Sequence, residues 1–211
     1  MKYSVIYTKR RSLSITVSQD NVITVRCPKD TTNSYIDDVL ERKRGWIEKI
    51  AVRNSENLVR NADVYGYKNI FLYGEIVPLY IGAARNCICE QGVYVKSVKH
   101  LKKLFIDEFS LGFYTRVKEI SEATGLKFKS CNIKNYKSRW GCCTGENEIF
   151  FNFRLFMLPQ DIVDYVIVHE LCHTRHHNHS IRFWQLVSRF VPDYVAIRKK
   201  LKDYNFLTTL Y

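Results

Sequence analysis

Five of the chain's six histidines fall in one stretch, "VIVHELCHTRHHNHSIRFW", Val166 to Trp184, with Glu170 inside the first pair. Histidine titrates near neutral pH and binds transition metals through a neutral ring nitrogen, so the clustering points to metal or proton chemistry. His169 and His173 stand at i and i+4. On a helix turning ~100° per residue, their rings project only about 40° apart, one turn apart. Stacked in this way they can share one zinc ion at ~2.0–2.1 Å each. Glu170 is then free to reach the water on that ion and take its proton, the logic of an H-E-x-x-H metallohydrolase.

A zinc ion needs a third protein ligand. Were the helix uninterrupted, His179 would lie ~15 Å along the axis from His169, so the helix must end soon after His173 for His179 to fold back. Asn178 offers a break, because Asn tolerates the left-handed conformation, and His176 and His177 tolerate it better than most residues. Ser180 can cap the next helix, "SIRFWQLVSRF", whose Phe183, Val187 and Phe190 share a face. His176 is the alternative third ligand; otherwise His176 and His177 are exposed turn residues. Cys172 projects some 100° from His173 and reads as core. Three histidines without a fourth protein ligand leave a position for water, which marks a catalytic site rather than a closed structural one. The plainer alternative is a core helix with incidental histidines.

The elements that must position this cluster show in the hydrophobic pattern. "SLSITVS" and "VITVRC" alternate in phase around "QDN", a hairpin. One amphipathic helix begins at about Ser34, with Ile36, Val39, Leu40, Trp46, Ile47 and Ile50 on its face. Strands resume at "IFLYGEIVPLYIG" and "VYVKS". A long helix from Leu101 uses Leu104, Phe105, Leu111, Tyr114, Val117 and Ile120 and stops at Gly125. Strands around Phe128–Trp140 and Ile149–Arg154 flank the turn "TGEN", and Pro159 and Asp161 open the apolar helix that runs into the histidines. The expected architecture is α+β: a β-rich region with one amphipathic helix over residues 1–99, then a catalytic domain over 100–211.

Composition sets the class. The chain has 211 residues, 46% of them hydrophobic and 26% charged, ordinary for a globular protein with a real core. No apolar run is long enough to span a membrane and no signal peptide is visible, so a cytoplasmic location is expected. Seven cysteines without a C-x-x-C pair argue against a disulfide framework or a zinc ribbon. The net charge of +12, with basic runs such as "TKRR", "ERKRGW" and "RKKLK", would attract anionic partners. Solvated helix faces explain the same runs more simply.

Three blocks, "KSRWGCCTGENEIFFNFRLFMLP", "DYVIVHELCH" and "NHSIRFW", together resemble the YgjP-like family of metal-dependent hydrolases, zincin-type proteins related to SprT-like and WLM metalloproteases. The resemblance is close over the C-terminal half and looser before it, through the hairpin and the "RKRGWIEK" helix. It implies a zincin-like domain with the metal on a central helix, ligands His169, His173 and His179, and Glu170 as general base. Zinc is the implied metal; imidazole ligands also accept other divalent transition metals. Where the family reads Arg-Trp-Gly-Ser-Cys this chain has Arg139, Trp140, Gly141, Cys142 and Cys143, so Cys142 replaces the serine and carries no assigned catalytic role. Arg139 and Trp140 are candidate substrate-binding residues, Arg139 for an anionic group or an oxyanion; the alternative is that both brace the strand against the helix. In zincins a strand beside the helix presents its edge to an extended peptide, and "EIFFNFRL" or "SCNIKNYKSRW" is expected to supply it.

The expected function is a zinc-dependent hydrolase, by resemblance a peptidase. The alternatives are a nucleotide phosphoanhydride hydrolase, favoured by the positive charge, and a basic nucleic-acid-associated protein with SprT-like protease activity. The expected partners are a peptide or an anionic small molecule, nucleic acid in the last reading, and no membrane.

Overall fold

Alternating apolar residues build the first of two units. In the computed structural model, which describes residues 2–211, one unit ends at Ala62 and the other runs from Asp63 to Tyr211. In the first, β1 (Tyr3–Tyr7), β2 (Ser14–Val17) and β3 (Ile23–Cys27) form a sheet in the order β1-β3-β2. β2 and β3 are the expected hairpin, turned at Asn21 with φ 60°. Ile23, Val25 and Cys27 of β3 pack against Ile36 and Leu40 of α1 (Asn33–Arg42) and Ile47 of α2 (Arg44–Arg60). The single helix expected here is two. Lys43, at φ −103° and ψ 5°, interrupts it between α1 and α2, and Trp46 stands 46% exposed rather than on the buried face.

The short α3 (Ala62–Tyr65) leads into the second unit. There β4 (Asn69–Leu72), β5 (Glu75–Ile81), β6 (Cys87–Cys89) and β7 (Gly92–Val95) form a sheet in the order β4-β5-β7-β6. The tight β4–β5 turn docks on the segment before the histidine helix: the N–H groups of Tyr73 and Gly74 donate to the carbonyls of Phe156 and Met157, each at 3.0 Å. Gly74 is required there, because its φ is +88° and a Cβ would lie 2.6 Å from Cγ of Pro159. The boundary expected near residue 100 therefore falls inside this unit, whose apolar core runs from Val64 to Leu207.

α4 (Leu101–Thr124) ends at Gly125, which takes the left-handed conformation at φ 70°, as its position predicts. Its buried face uses Leu101, Leu104, Phe105, Phe113, Val117 and Ile120. Leu111 and Tyr114 were expected on that face but flank Phe113 on the outside, Leu111 being 80% exposed. β8 (Ser130–Lys134), β9 (Gly141–Cys143) and β10 (Glu148–Asn152) form a second sheet in the order β8-β10-β9. The long strand expected to reach Trp140 stops at Lys134, and residues 135–139 form a loop held by side chains instead of a ladder. A buried 3-10 turn (Phe153–Met157) then feeds α5 (Gln160–His173), after which come α6 (Ile181–Phe190), α7 (Tyr194–Asp203) and α8 (Leu207–Leu210). Among the described residues, no helix is long and apolar enough to cross a membrane.

Candidate metal centre

α5 is apolar on nearly every side. Ile162, Val163, Tyr165 to Val168, Leu171 and Cys172 are buried, which fixes the rotation of the helix and leaves His169 facing a cleft. Cys172 is fully buried, a core residue as its angular position predicts. The helix stops at His173. The Nδ1–H of His173 donates to the carbonyl of His176 at 2.9 Å and ties the adjoining turn to the helix end. No left-handed residue makes this turn: among the described residues the non-glycine positive-φ positions are Asn21, Tyr67, Tyr73 and Asn147, so neither Asn178 nor His176 nor His177 reverses the chain as expected. The Asn178 side chain instead accepts the Ser180 N–H at 3.2 Å, and Ser180 accepts the Phe183 N–H to cap α6.

This turn brings His179 back over α5. One ring nitrogen from each of His169, His173 and His179 lies within 4.8 Å of the others, and His169 Nε2 faces His179 Nε2 at 3.2 Å. Two nitrogens on one tetrahedral ion at ~2.0–2.1 Å would stand about 3.3 Å apart, so this pair fits a shared cation. Phe183, fully buried, forms the floor: its ring centroid lies 4.9 Å from His169, 4.4 Å from His173 and 4.9 Å from His179. Trp184 stacks on His179 at 5.5 Å and Tyr194 stacks on Trp184 at 5.3 Å. The rings are thus held in place by packing alone.

Protonation suits the same role. Burial lowers the pKa of His169 to about 3, helped by the charges of His173 and His179. Burial also lowers His173 and His179. Neutral imidazoles keep a lone pair for a metal, and the His173 bond to the His176 carbonyl leaves its Nε2 as the free donor. His176 takes part through its backbone and is not among the three clustered rings; His177 is exposed beside them.

Glu170 sits one residue along, 5% exposed, and burial pushes its carboxyl up to about 8 against the opposing pull of Arg139. Its Oε2 is buried without a hydrogen-bond partner. An unpaired buried oxygen of this kind is costly in a purely structural role and natural beside a cation and a reacting water. β9 passes so close that a Cβ on Gly141 would lie 2.7 Å from Glu170 Cγ and 2.8 Å from its Oε1. Only glycine leaves the carboxylate its room.

The loop before β9 is fastened by two residues that spacing did not single out. Asn152, 1% exposed, donates through Nδ2 to the carbonyls of Tyr136 at 2.7 Å and Arg139 at 2.9 Å, while its backbone N–H donates to the Trp140 carbonyl. Arg154, equally buried, donates to Asn135 Oδ1 at 2.6 Å. The signal was present: an Asn and an Arg alternate within the aromatic run "FFNFRLF", where polar groups must be satisfied internally. This clamp places Arg139 and Trp140 beside Glu170. Arg139 is exposed at the cleft, whereas Trp140 is 8% exposed and donates its ring N–H to Asn205 at 2.9 Å, so it also braces the wall. Two cavities meet at the cluster, one of about 490 Å³ reaching Trp184 and Arg198, the other of about 270 Å³ reaching Cys142, Cys143 and His177. α7 thus contributes Arg198 and Lys202 to the larger cavity, which no local motif announces.

The free edge beside the cluster belongs to β9. β10, expected to offer "EIFFNFRL" as an edge, lies between β8 and β9 and is paired on both sides, whereas β8, from the other expected segment "SCNIKNYKSRW", is the sheet's second edge strand. A search among curated proteins and among solved structures finds no match to the chain. The family model of the YgjP-like metallopeptidase domain matches residues 11–204, from before β2 to beyond α7, and so takes in the clamp, the histidine helix and the returning turn. By that match over nearly its whole length, the chain belongs to the YgjP-like family of metallopeptidase domains.

Proposed function

We propose that this chain is a zinc-dependent peptidase, with His169, His173 and His179 holding one zinc ion and Glu170 acting as general base. The observation that carries the reading is the 3.2 Å approach of His169 and His179 beside a buried carboxylate whose Oε2 has no other partner. Bound there, zinc would supply Lewis acidity, acidifying a water and polarising the scissile carbonyl. Glu170 accepts the proton of the attacking water and returns it to the leaving amine, a transfer worth about 10²–10⁴ in rate. Arg139 at the rim would steady developing negative charge on the carbonyl oxygen. The unpaired edge of β9 offers an extended peptide backbone hydrogen bonds along Gly141–Cys143, directly beside Glu170.

Purified protein reconstituted with zinc and incubated with a mixed peptide library is expected to retain one zinc per chain by elemental analysis and to cut peptides. Chelation should abolish the cleavage and added zinc restore it. Cleavage indifferent to chelation, or a nucleoside triphosphate hydrolysed in place of peptide, would overturn the reading.

Gly141→Ala provides a finer check. The added methyl group must push the Glu170 side chain aside, and a misplacement near 1 Å is expected to lower kcat by about a hundredfold. Zinc content and circular dichroism should stay as in the parent. Unchanged kcat would show that the carboxylate position does not matter.

A further inference from the structure

The two cavities that meet at the histidine cluster differ in charge. The larger, about 490 Å³, is lined by three permanent cations, Arg139, Arg198 and Lys202, and Glu170 is the sole acidic residue lining it. An adjoining hollow of about 290 Å³ shares Arg198 and Lys202, adds Lys199 and has no acidic lining residue. On the opposite flank, the 270 Å³ cavity has Arg139 as its only Arg or Lys. Arg198 is held in place, its guanidinium carbon 4.8 Å over the Trp184 ring. Tyr165, Val166 and Leu201 supply apolar wall between the charges, which weakens solvent screening inside the cavity.

We infer that this cavity binds a carboxylate of the peptide substrate, gripped by Arg198 and Lys202 on one side of the scissile bond; the inference rests on the peptidase reading above. The carboxylate is that of an Asp or Glu side chain or the peptide's own C-terminus. A lysine or arginine in the same place would meet three like charges, so the cavity also rejects basic residues. A nucleotide fits less well. The Trp184 ring already carries His179, Tyr194 and Arg198 against it, and a stacking base would have to displace one of them.

The test begins with a degenerate peptide library, cut by the zinc-loaded protein and read by mass spectrometry. Three versions of one cleaved sequence, or of one fixed test sequence if none is cut, are then compared: a Glu peptide and a Gln peptide, both amidated at the C-terminus, and the Gln peptide with a free C-terminus. Cleavage is measured on the parent protein, and equilibrium binding of labelled peptides on the full-length Glu170→Gln protein. A carboxylate-bearing version should bind and be cut at least about tenfold better than the amidated Gln peptide, as expected for charge-assisted hydrogen bonds. Adding Arg198→Gln and Lys202→Gln should bring that ratio close to one, while Arg198→Lys should preserve part of it. Preference for the Glu peptide assigns a side chain; preference for the free terminus alone assigns the C-terminus. Equal treatment of all three, or a preference that survives the double substitution, overturns the inference. If nothing is cut but the binding difference persists and collapses in the double variant, the peptidase reading fails and the carboxylate site stands. Binding of a single-stranded oligonucleotide that is lost in the double variant, without any peptide preference, would give the cavity to nucleic acid and overturn the inference.

Discussion

Glu170→Gln is expected to lower kcat by about 10²–10⁴-fold while the protein still binds one zinc per chain. Glutamine has the shape of glutamate, so it fits the space that Gly141 leaves open and perturbs neither the α5 packing nor the three imidazoles. What it lacks is an oxygen able to take a proton from the attacking water. Stability should move by less than about 1 kcal/mol, because the replacement is isosteric and the native Oε2 has no hydrogen bond to lose. Steady-state kinetics paired with elemental analysis and a thermal melt separates these effects. Full activity in the variant would remove Glu170 from the reaction; loss of zinc would make it a ligand.

His173→Ala should do the reverse and empty the site. One of three donors disappears, so zinc affinity is expected to fall by roughly a hundredfold or more, measured by competition with a chromophoric chelator. The metal-free protein should also lose about 2–3 kcal/mol of stability. The ring is 8% exposed, stacks on Phe183 at 4.4 Å and fastens the adjoining turn through its bond to the His176 carbonyl. His177→Ala is the matched control: that residue is exposed and outside the three-ring cluster, so zinc affinity should match the parent. Equal zinc affinity in the two variants would place the ion elsewhere.

The histidines were legible in the sequence because helix geometry is local. An i, i+4 pair must share a face whatever surrounds it, and the polar "HHNHS" must end an otherwise apolar helix. Ser180 as the cap of α6 comes from equally short-range hydrogen bonding. How the turn closes was not legible. Asn178 looked like a left-handed hinge, but no residue of the turn takes a positive φ, and the His173 ring ties it instead through the carbonyl three residues on. The break at Lys43 and the exposure of Leu111 mark a second limit. Apolar periodicity gives a face but not its width, and in α4 it is Phe113, packed on Phe151 and Phe156, that sets which flank is buried. The basic wall of the larger cavity was least legible, since Arg139 and Arg198 meet only through the fold. A net charge of +12 announces an appetite for anions without giving its address.

The hydrogen bonds from Tyr73 and Gly74 to Phe156 and Met157 bear on where the chain can be trimmed. A fragment starting at Asp63 keeps both donors. One starting at residue 100 leaves two interior carbonyls unanswered just upstream of Pro159, where α5 takes its bearing, and strips Phe156 of the chain beside it. The hairpin tip is thus a thumb on the base of the helix that carries the histidines, and shortening the protein past it would loosen their end of the helix from a distance.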